Sequence, residues 1–349
     1  MRFLSLLLAI AAAPSLAIAA QAEEKLPGLY FSHADWELAC DNTGTCRAAG
    51  YQAGQDGPAV SVLLTRKAGP GEPVSGQLLI GSPGSDAARA PLPALLKLTL
   101  RIDGKRAGTV SAGRKSAPLS PTMVAALLRA LPGTAGIAWT DGARHWTLSS
   151  GGAAAVLLKM DEFQGRIGTR GALIRPGPGS EAAVPQGTPV PVVNAARWAP
   201  ALPADARLAA EQAAPLRLAL RATLGQHDYC PGLDQGERAP LALRRLDAQR
   251  LLVWARCWAG AYNTGDGYWV IDQLAPFRPV LVTTSGTEAE EPFIMASHKG
   301  RGVGDCRSSE AWTWNGTAFI HTSSATSGMC RMVAPGGAWD LPRIVSQVR

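Results

Sequence analysis

Six cysteines, Cys40, Cys46, Cys230, Cys257, Cys306 and Cys330, stand downstream of an export-like N-terminal segment. That combination constrains the fold more than any other feature of the chain. Arg2 gives a positive start, residues 3 to 10 are an apolar run, and Ala17-Ile18-Ala19 or Ala20-Gln21-Ala22 offers small residues for cleavage. The pattern is that of a cleavable signal peptide over 1–22, too short and wrongly flanked for a membrane span. No cysteine directly follows either cleavage site to carry a lipid. An exported chain meets an oxidising compartment, so an even number of cysteines reads as disulfides and the expected location is the periplasm. Proximity in sequence suggests Cys40 with Cys46, Cys230 with Cys257 and Cys306 with Cys330, although six cysteines allow other pairings.

A length of 349 residues exceeds one comfortable core and suggests two domains. Hydrophobic residues make up 46% and charged residues 17%, a composition for a folded chain rather than a disordered one. No later apolar run approaches the length needed to span a bilayer. A formal net charge of +7 would favour acidic partners such as anionic glycans or lipid headgroups, but it is equally the ordinary charge of a basic exported protein. Export argues against nucleic acid as a target.

The first domain is expected over 23–175 and reads mainly as strands. Residues 97–102 alternate, with Leu98, Leu100 and Ile102 on one face, and Asp103-Gly104 then marks a hairpin turn. Residues 60–64 and 77–80 are further strand candidates. One helix is well specified: Ser120 can cap it, Pro121 fits its first position, Met123, Val124, Leu127, Leu128 and Leu131 form its apolar face, and Pro132-Gly133 ends it. Residues 146–148 read as a strand entering the 149–152 turn, and 153–160 as a short buried helix. Between 176 and 204 prolines recur among Gly and Ala, which suits a semi-extended linker. Residues 205–224 read as helical, broken or kinked at Pro215. The second domain, to residue 349, is rich in short strands, near 251–258, 268–271, 280–284, 293–297, 311–314 and 318–322, with Asn315-Gly316 as its clearest hairpin. The expected class is mainly β with a few helices: two antiparallel, sandwich- or barrel-like domains stapled by disulfides.

Two stretches resemble the invasion-associated locus B family of exported bacterial proteins. They are DWELAC at 35–40 with Cys46 close behind, and WTLSSGGAAAVLL at 146–158. That family's usual second cysteine pair is missing here. Across nearly its full length the chain resembles an exported bacterial family known as domain of unknown function 1176. The segments that carry the likeness are FSHADW at 31–36, LLKMDEFQGR at 157–166, GRGVGDC at 300–306 and WTWNG at 312–316. The resemblance implies a periplasmic setting and no particular activity.

Candidate chemistry is sparse. A redox pair would need Cys-x-x-Cys, which does not occur. His33, His145, His227, His298 and His321 show no metal-ligand spacing, and no cofactor or metal site is expected. Gly-x-Ser-x-Gly, Ser-x-x-Lys and His-Glu-x-x-His are absent. Asp161 and Glu162, adjacent on a helix, point apart; with Gln164 and Arg166 they suggest a buried arginine–carboxylate tie rather than a catalytic pair. Trp254, Trp258, Tyr262, Tyr268, Trp269, Trp312, Trp314 and Trp339 crowd the second domain, either as core or as an exposed platform. Trp312 and Trp314, two apart on a strand, must share one fate.

No catalytic residue is assigned. The candidate ligand-binding residues are Arg301, Arg307, Asp305, Trp312 and Trp314, beside the glycines at 300, 302 and 304 and the basic Lys299. The expectation is a non-catalytic binding protein of the cell envelope whose partner is an envelope protein or an anionic glycan. The alternatives are an inhibitor of a cell-wall hydrolase such as lysozyme, or an exported hydrolase drawing a carboxylate pair from Asp161, Glu162, Asp266, Asp272 and Asp305. A cleft holding two carboxylates would favour the enzyme, a flat aromatic face the binder, and a rigid projecting loop the inhibitor.

Overall fold

Asp103 and Gly104 both adopt positive φ, +48° and +75°, the conformation of a type I′ turn, and they join two long strands as the sequence suggests. Similar local chemistry recurs along a computed structural model that describes residues 28–54, 57–81, 93–113, 115–236 and 240–349. The expected signal peptide, 1–22, lies outside the described residues.

The first half contains strands β1 (Leu29–His33), β2 (Trp36–Cys40), β3 (Cys46–Tyr51), β4 (Val60–Arg66), β5 (Val74–Ile80), β6 (Leu95–Ile102), β7 (Lys105–Gly113) and β8 (Ala117–Pro118). Helix α1 (Pro121–Ala130), strands β9 (Ile137–Thr140) and β10 (His145–Leu148), and helix α2 (Ala153–Phe163) follow. Helix α1 starts as its sequence dictates, with Met123 N donating to the Ser120 hydroxyl at 3.3 Å. The strands form an antiparallel sheet in the order β1-β2-β3-β4-β5-β8 and a second in the order β10-β9-β6-β7. Trp36, Leu38, Val62, Leu64 and Leu78 on one face of the larger sheet pack with Leu98, Leu100, Trp139, Leu127 and Leu157 in the main core.

The connector holds a short 3₁₀ turn (Glu181–Ala183) and strand β11 (Val192–Val193). Helices α3 (Pro203–Glu211) and α4 (Ala213–Arg221) come next. The break in this helical segment falls at Gln212, where ψ is +15°, and not at Pro215 as the sequence suggests. A proline ring collides with the carbonyl four residues back, so the first helix must end before it; within the first turn of α4 its missing N–H costs nothing. A 3₁₀ turn (Pro231–Asp234) then leads to β12 (Ala242–Arg245), β13 (Arg250–Ala259), β14 (Thr264–Asp272), β15 (Val280–Gly286), β16 (Glu288–Glu290), β17 (Phe293–Lys299), β18 (Arg307–Trp314), β19 (Phe319–Thr326), β20 (Leu341–Ile344) and β21 (Gln347–Val348).

These strands form antiparallel sheets in the orders β12-β13-β14-β15 and β16-β17-β18-β19-β20, and β21 pairs parallel with β11. Strand β13 alternates between two cores. Leu251, Val253, Ala255 and Cys257 pack with Leu216 and Leu220 of α4, while Leu252 packs with Tyr268, Ile294, Trp312 and Trp314 between the two sheets. The aromatic residues therefore mostly fill cores: Tyr268, Trp269, Trp312 and Trp314 are all buried.

The chain is mainly β, and its cysteines pair as 40–46, 230–257 and 306–330 with none left free. Cys40 and Cys46 face each other directly across β2 and β3, closing the hairpin end. No described helix is long and apolar enough to cross a membrane.

The connector is held at several points. Arg166, fully buried, donates to Gln164 Oε1 at 3.0 Å, Glu181 Oε2 at 2.9 Å and the carbonyl of Gly69 at 2.6 Å. This is the buried arginine–carboxylate tie the sequence suggests, but its acid is Glu181 of the connector. Asp161 instead accepts from Leu173 N and Ile174 N and faces Arg66 at 3.7 Å, while Glu162 pairs at the surface with Lys159. Beyond the turn, Ala196 N donates to the carbonyl of Trp314 and Ala199 N to that of Leu246.

The last part of the chain returns to the first half. Met329, Val333, Ala334, Ala338, Trp339 and Leu341 pack on Ala39, Ala49, Tyr51, Ala59, Leu63 and Leu79, the second face of the larger N-terminal sheet. Trp339 Nε1 donates to Ser61 Oγ at 2.7 Å, and Asn42 exchanges hydrogen bonds with the backbone of Val345.

Candidate functional site at a hairpin tip

Strands β17 and β18 pair from Phe293↔Thr313 to Lys299↔Arg307, and the loop from Gly300 to Cys306 closes them. Gly300 is required by space. A Cβ there would lie 2.6 Å from Cys306 Sγ and 3.0 Å from Cys330 Sγ, so the disulfide packs against bare backbone. Gly300 N donates to the carbonyl of Cys306 at 2.9 Å, and Gly304 N to that of Arg301 at 3.0 Å. Arg301 and Asp305, four residues apart, form a two-pronged ion pair whose Nε–Oδ1 arm measures 2.7 Å. That hydrogen-bonded guanidinium holds the Asp305 carboxyl below the ordinary carboxylate range. Asp305, itself buried, also accepts from Met332 N at 2.8 Å, joining the loop to the segment that carries Cys330.

A second hairpin buttresses the first. Asn263, between β13 and β14, donates to the carbonyl of Lys299 at 2.8 Å and accepts from Lys299 N at 2.9 Å. His298 stacks at a tilt on Trp258, 5.3 Å between ring centres, and its Nε2 lies 3.1 Å from the carbonyl of Thr264. The loop is thus held by a covalent bond, an ion pair and a neighbouring hairpin, while Val303 at its apex is 67% exposed and Tyr262 beside it 47% exposed.

The residues suggested by sequence do not converge on one surface. Arg301, Asp305 and Arg307 lie at the tip. Arg301 has its charge matched by Asp305, and Arg307 stays exposed, its backbone N–H donating to Ser327 Oγ at 2.8 Å. Trp312 and Trp314 are not ligand-facing: they are 8% and 1% exposed and point into the core between the sheets. The reason is that β18 is an inner strand with its Trp-bearing face toward another sheet. Trp312 stacks on His321 at 4.8 Å and Trp314 lies under Arg250 at 5.0 Å.

Asp305, Cys306 and Cys330 bring an oxygen and two sulfurs within 4.8 Å, but a disulfide offers no thiolate and the carboxylate is engaged by arginine, so this trio is not a metal-ligand set. The acids considered for hydrolysis are likewise engaged singly, Asp266 by Arg256 and Asp272 by Arg278. Sequence reasoning missed Asn263, Val303 and Met332, and it named Tyr262 only as one of the aromatics that could form core or an exposed platform.

Beneath Cys330 lies a buried acid. Glu37 on β2 accepts from Tyr51 OH at 2.5 Å, Tyr30 OH at 3.0 Å and Met329 N at 2.6 Å. Burial pushes its carboxyl above the ordinary value, since no cation touches it directly. Arg331, two residues further on, pairs with Asp35 at 2.8 Å.

These features define a disulfide-stapled, β-rich protein with an exposed hairpin tip that a disulfide, an ion pair and a neighbouring hairpin hold in place. The chain belongs to the family described as "Protein of unknown function (DUF1176)", which matches residues 30–346. It is 29% identical over 217 residues to the "Uncharacterized protein YpfG" of Escherichia coli (strain K12), a stretch that covers 55% of this chain and 58% of that one. The chain therefore aligns with little more than half of that relative. No solved structure gives a significant match. The likeness to the invasion-associated locus B family is not shown by these comparisons.

Proposed function

We propose that this protein is an exported, non-catalytic binding protein of the periplasm that engages a partner through the β17–β18 tip. The observation that carries the reading is the immobilised loop with an exposed apex: disulfide, ion pair and Asn263 hold the backbone, and Val303 and Tyr262 stand in solvent. Such a loop has already lost its conformational freedom, so little entropy opposes its insertion into a partner. Three disulfides and the signal-peptide pattern support an oxidising compartment. The pairing of each candidate acid with a base supports a role other than hydrolysis.

A photo-crosslinking residue at position 303, in exporting cells, should capture a discrete envelope protein. The same residue at Leu274, 80% exposed and away from the tip, should not. Equal capture at both sites, or none at 303, rejects the tip as the binding element. The projecting, rigid form of the loop favours a second reading, inhibition of a cell-wall hydrolase such as lysozyme. The purified protein should then protect peptidoglycan from lysis and Val303→Asp should not; unprotected peptidoglycan with the parent protein rejects inhibition.

A further inference from the structure

A groove of about 560 Å³ lies far along the first half, where the last turn of α1 and the following loop meet the turn between β6 and β7. Lys105, Arg106 and Arg129 line it, all three exposed. None of them forms an ion pair or side-chain hydrogen bond with another described residue. Asp103 is the acid lining the groove, and one of its oxygens accepts from Gly136 N at 2.8 Å. The lining thus sets three cations against one carboxylate and is net positive, while Ile102, Ala107, Ala126 and Ala130 give it an apolar floor.

Each cation has a separate local reason to exist. Arg129 complements the carbonyl end of α1, and Lys105 and Arg106 sit on β7, an edge strand that charge protects from unwanted pairing. Those reasons do not require the three to converge on one concavity of ligand size. Several arginines elsewhere in this protein are paired with acids, Arg301 with Asp305, Arg166 with Glu181 and Arg331 with Asp35.

We infer that this groove binds a phosphate-bearing anion. Two guanidinium groups offer paired N–H donors that match phosphate oxygens, and an ammonium adds a third cation for an oxygen that a carboxylate does not have. The apolar floor leaves room for the organic part of a phosphomonoester or phosphodiester, whether a soluble metabolite or a lipid headgroup. The inference stands apart from the hairpin tip.

The test uses the full mature chain and two probes: inorganic phosphate followed by amide chemical shifts, and vesicles of phosphatidylglycerol against vesicles of phosphatidylcholine. Shifts at Gly133, Thr134 and Ala135 on adding phosphate support the site and indicate a soluble ligand. Binding to phosphatidylglycerol vesicles alone supports it and indicates a headgroup. Arg106→Ala with Arg129→Ala should weaken either response at least about tenfold with an unchanged melting temperature. Thr134→Glu, an exposed acid added to the rim, should do the same should the double variant prove unstable. Lys97→Ala with Arg175→Ala, equal in charge and outside the groove, should leave binding intact. Response to neither probe overturns the inference, and so does equal weakening in the two double variants, which would mean that only net charge is felt.

Discussion

At the scale of single residues, two buried charges do opposite things. Arg166 is satisfied on every side, by Glu181, Gln164 and the carbonyls of Lys67 and Gly69. Arg166→Ala removes the cation and strands those acceptors, so it should cost about 3–5 kcal/mol, read from urea unfolding. A loss below about 1 kcal/mol would show that the network is incidental. Glu37 is held by neutral donors, and burial raises its pKa in the folded state. Folding therefore favours its protonated form. Its contribution to stability is full below the unfolded value of 4.5 and is lost as the pH rises through the folded value. Glu37→Gln, which cannot ionise, should become more stable relative to the parent as the pH is raised from acid toward neutral. Parallel melting curves across that range would refute the account.

Elements follow local rules wherever the relevant partners are close in sequence. The Asp103-Gly104 turn, the Ser120 cap and the Cys40–Cys46 closure are all of this kind. At Asn315-Gly316 the hairpin forms, but over a wider loop in which Asn315 N donates to the carbonyl of Ala318 and the Asn315 side chain accepts from Thr317 N and Ala318 N. Gly104 holds φ at +75°, so Gly104→Ala should destabilise by about 1–2 kcal/mol. The same change at Gly142 meets no neighbour but shares positive φ, at +100°. Comparable losses at the two sites, by chemical denaturation, would assign the cost to the backbone. A loss at Gly104 alone would point to the β6–β7 pairing.

On the scale of the whole molecule, the segment after β19 joins the halves. It covers the outer face of the N-terminal sheet, donates Met329 N to Glu37 and Trp339 Nε1 to Ser61, and is tied to the hairpin tip through Cys306–Cys330. A chain ending at Thr326 should expose that face, bind a hydrophobic dye and lose stability in the first half as well as the second, as read by hydrogen exchange in β2 to β4. Unchanged protection there would mean that the first half stands alone.

The sequence by itself suggested the cysteine pairing without settling it, and it determined the β-rich class, the capped helix and the main hairpin turns. Each depends on short-range geometry: alternation along a strand, φ at a turn, a hydroxyl within reach of an amide. Only the tertiary structure decided which faces are covered. Leu38 and Glu37 are neighbours on β2, and alternation says that they point apart, but not that a segment some three hundred residues later buries the second face too. The same limit hid the interior position of Trp312 and Trp314, because strand spacing places two side chains on one face without saying whether that face meets water or another sheet. It hid the Arg166–Glu181 pairing and the convergence of Lys105, Arg106 and Arg129 as well, since charge in a sequence carries no direction until the chain has folded and brought distant groups within reach.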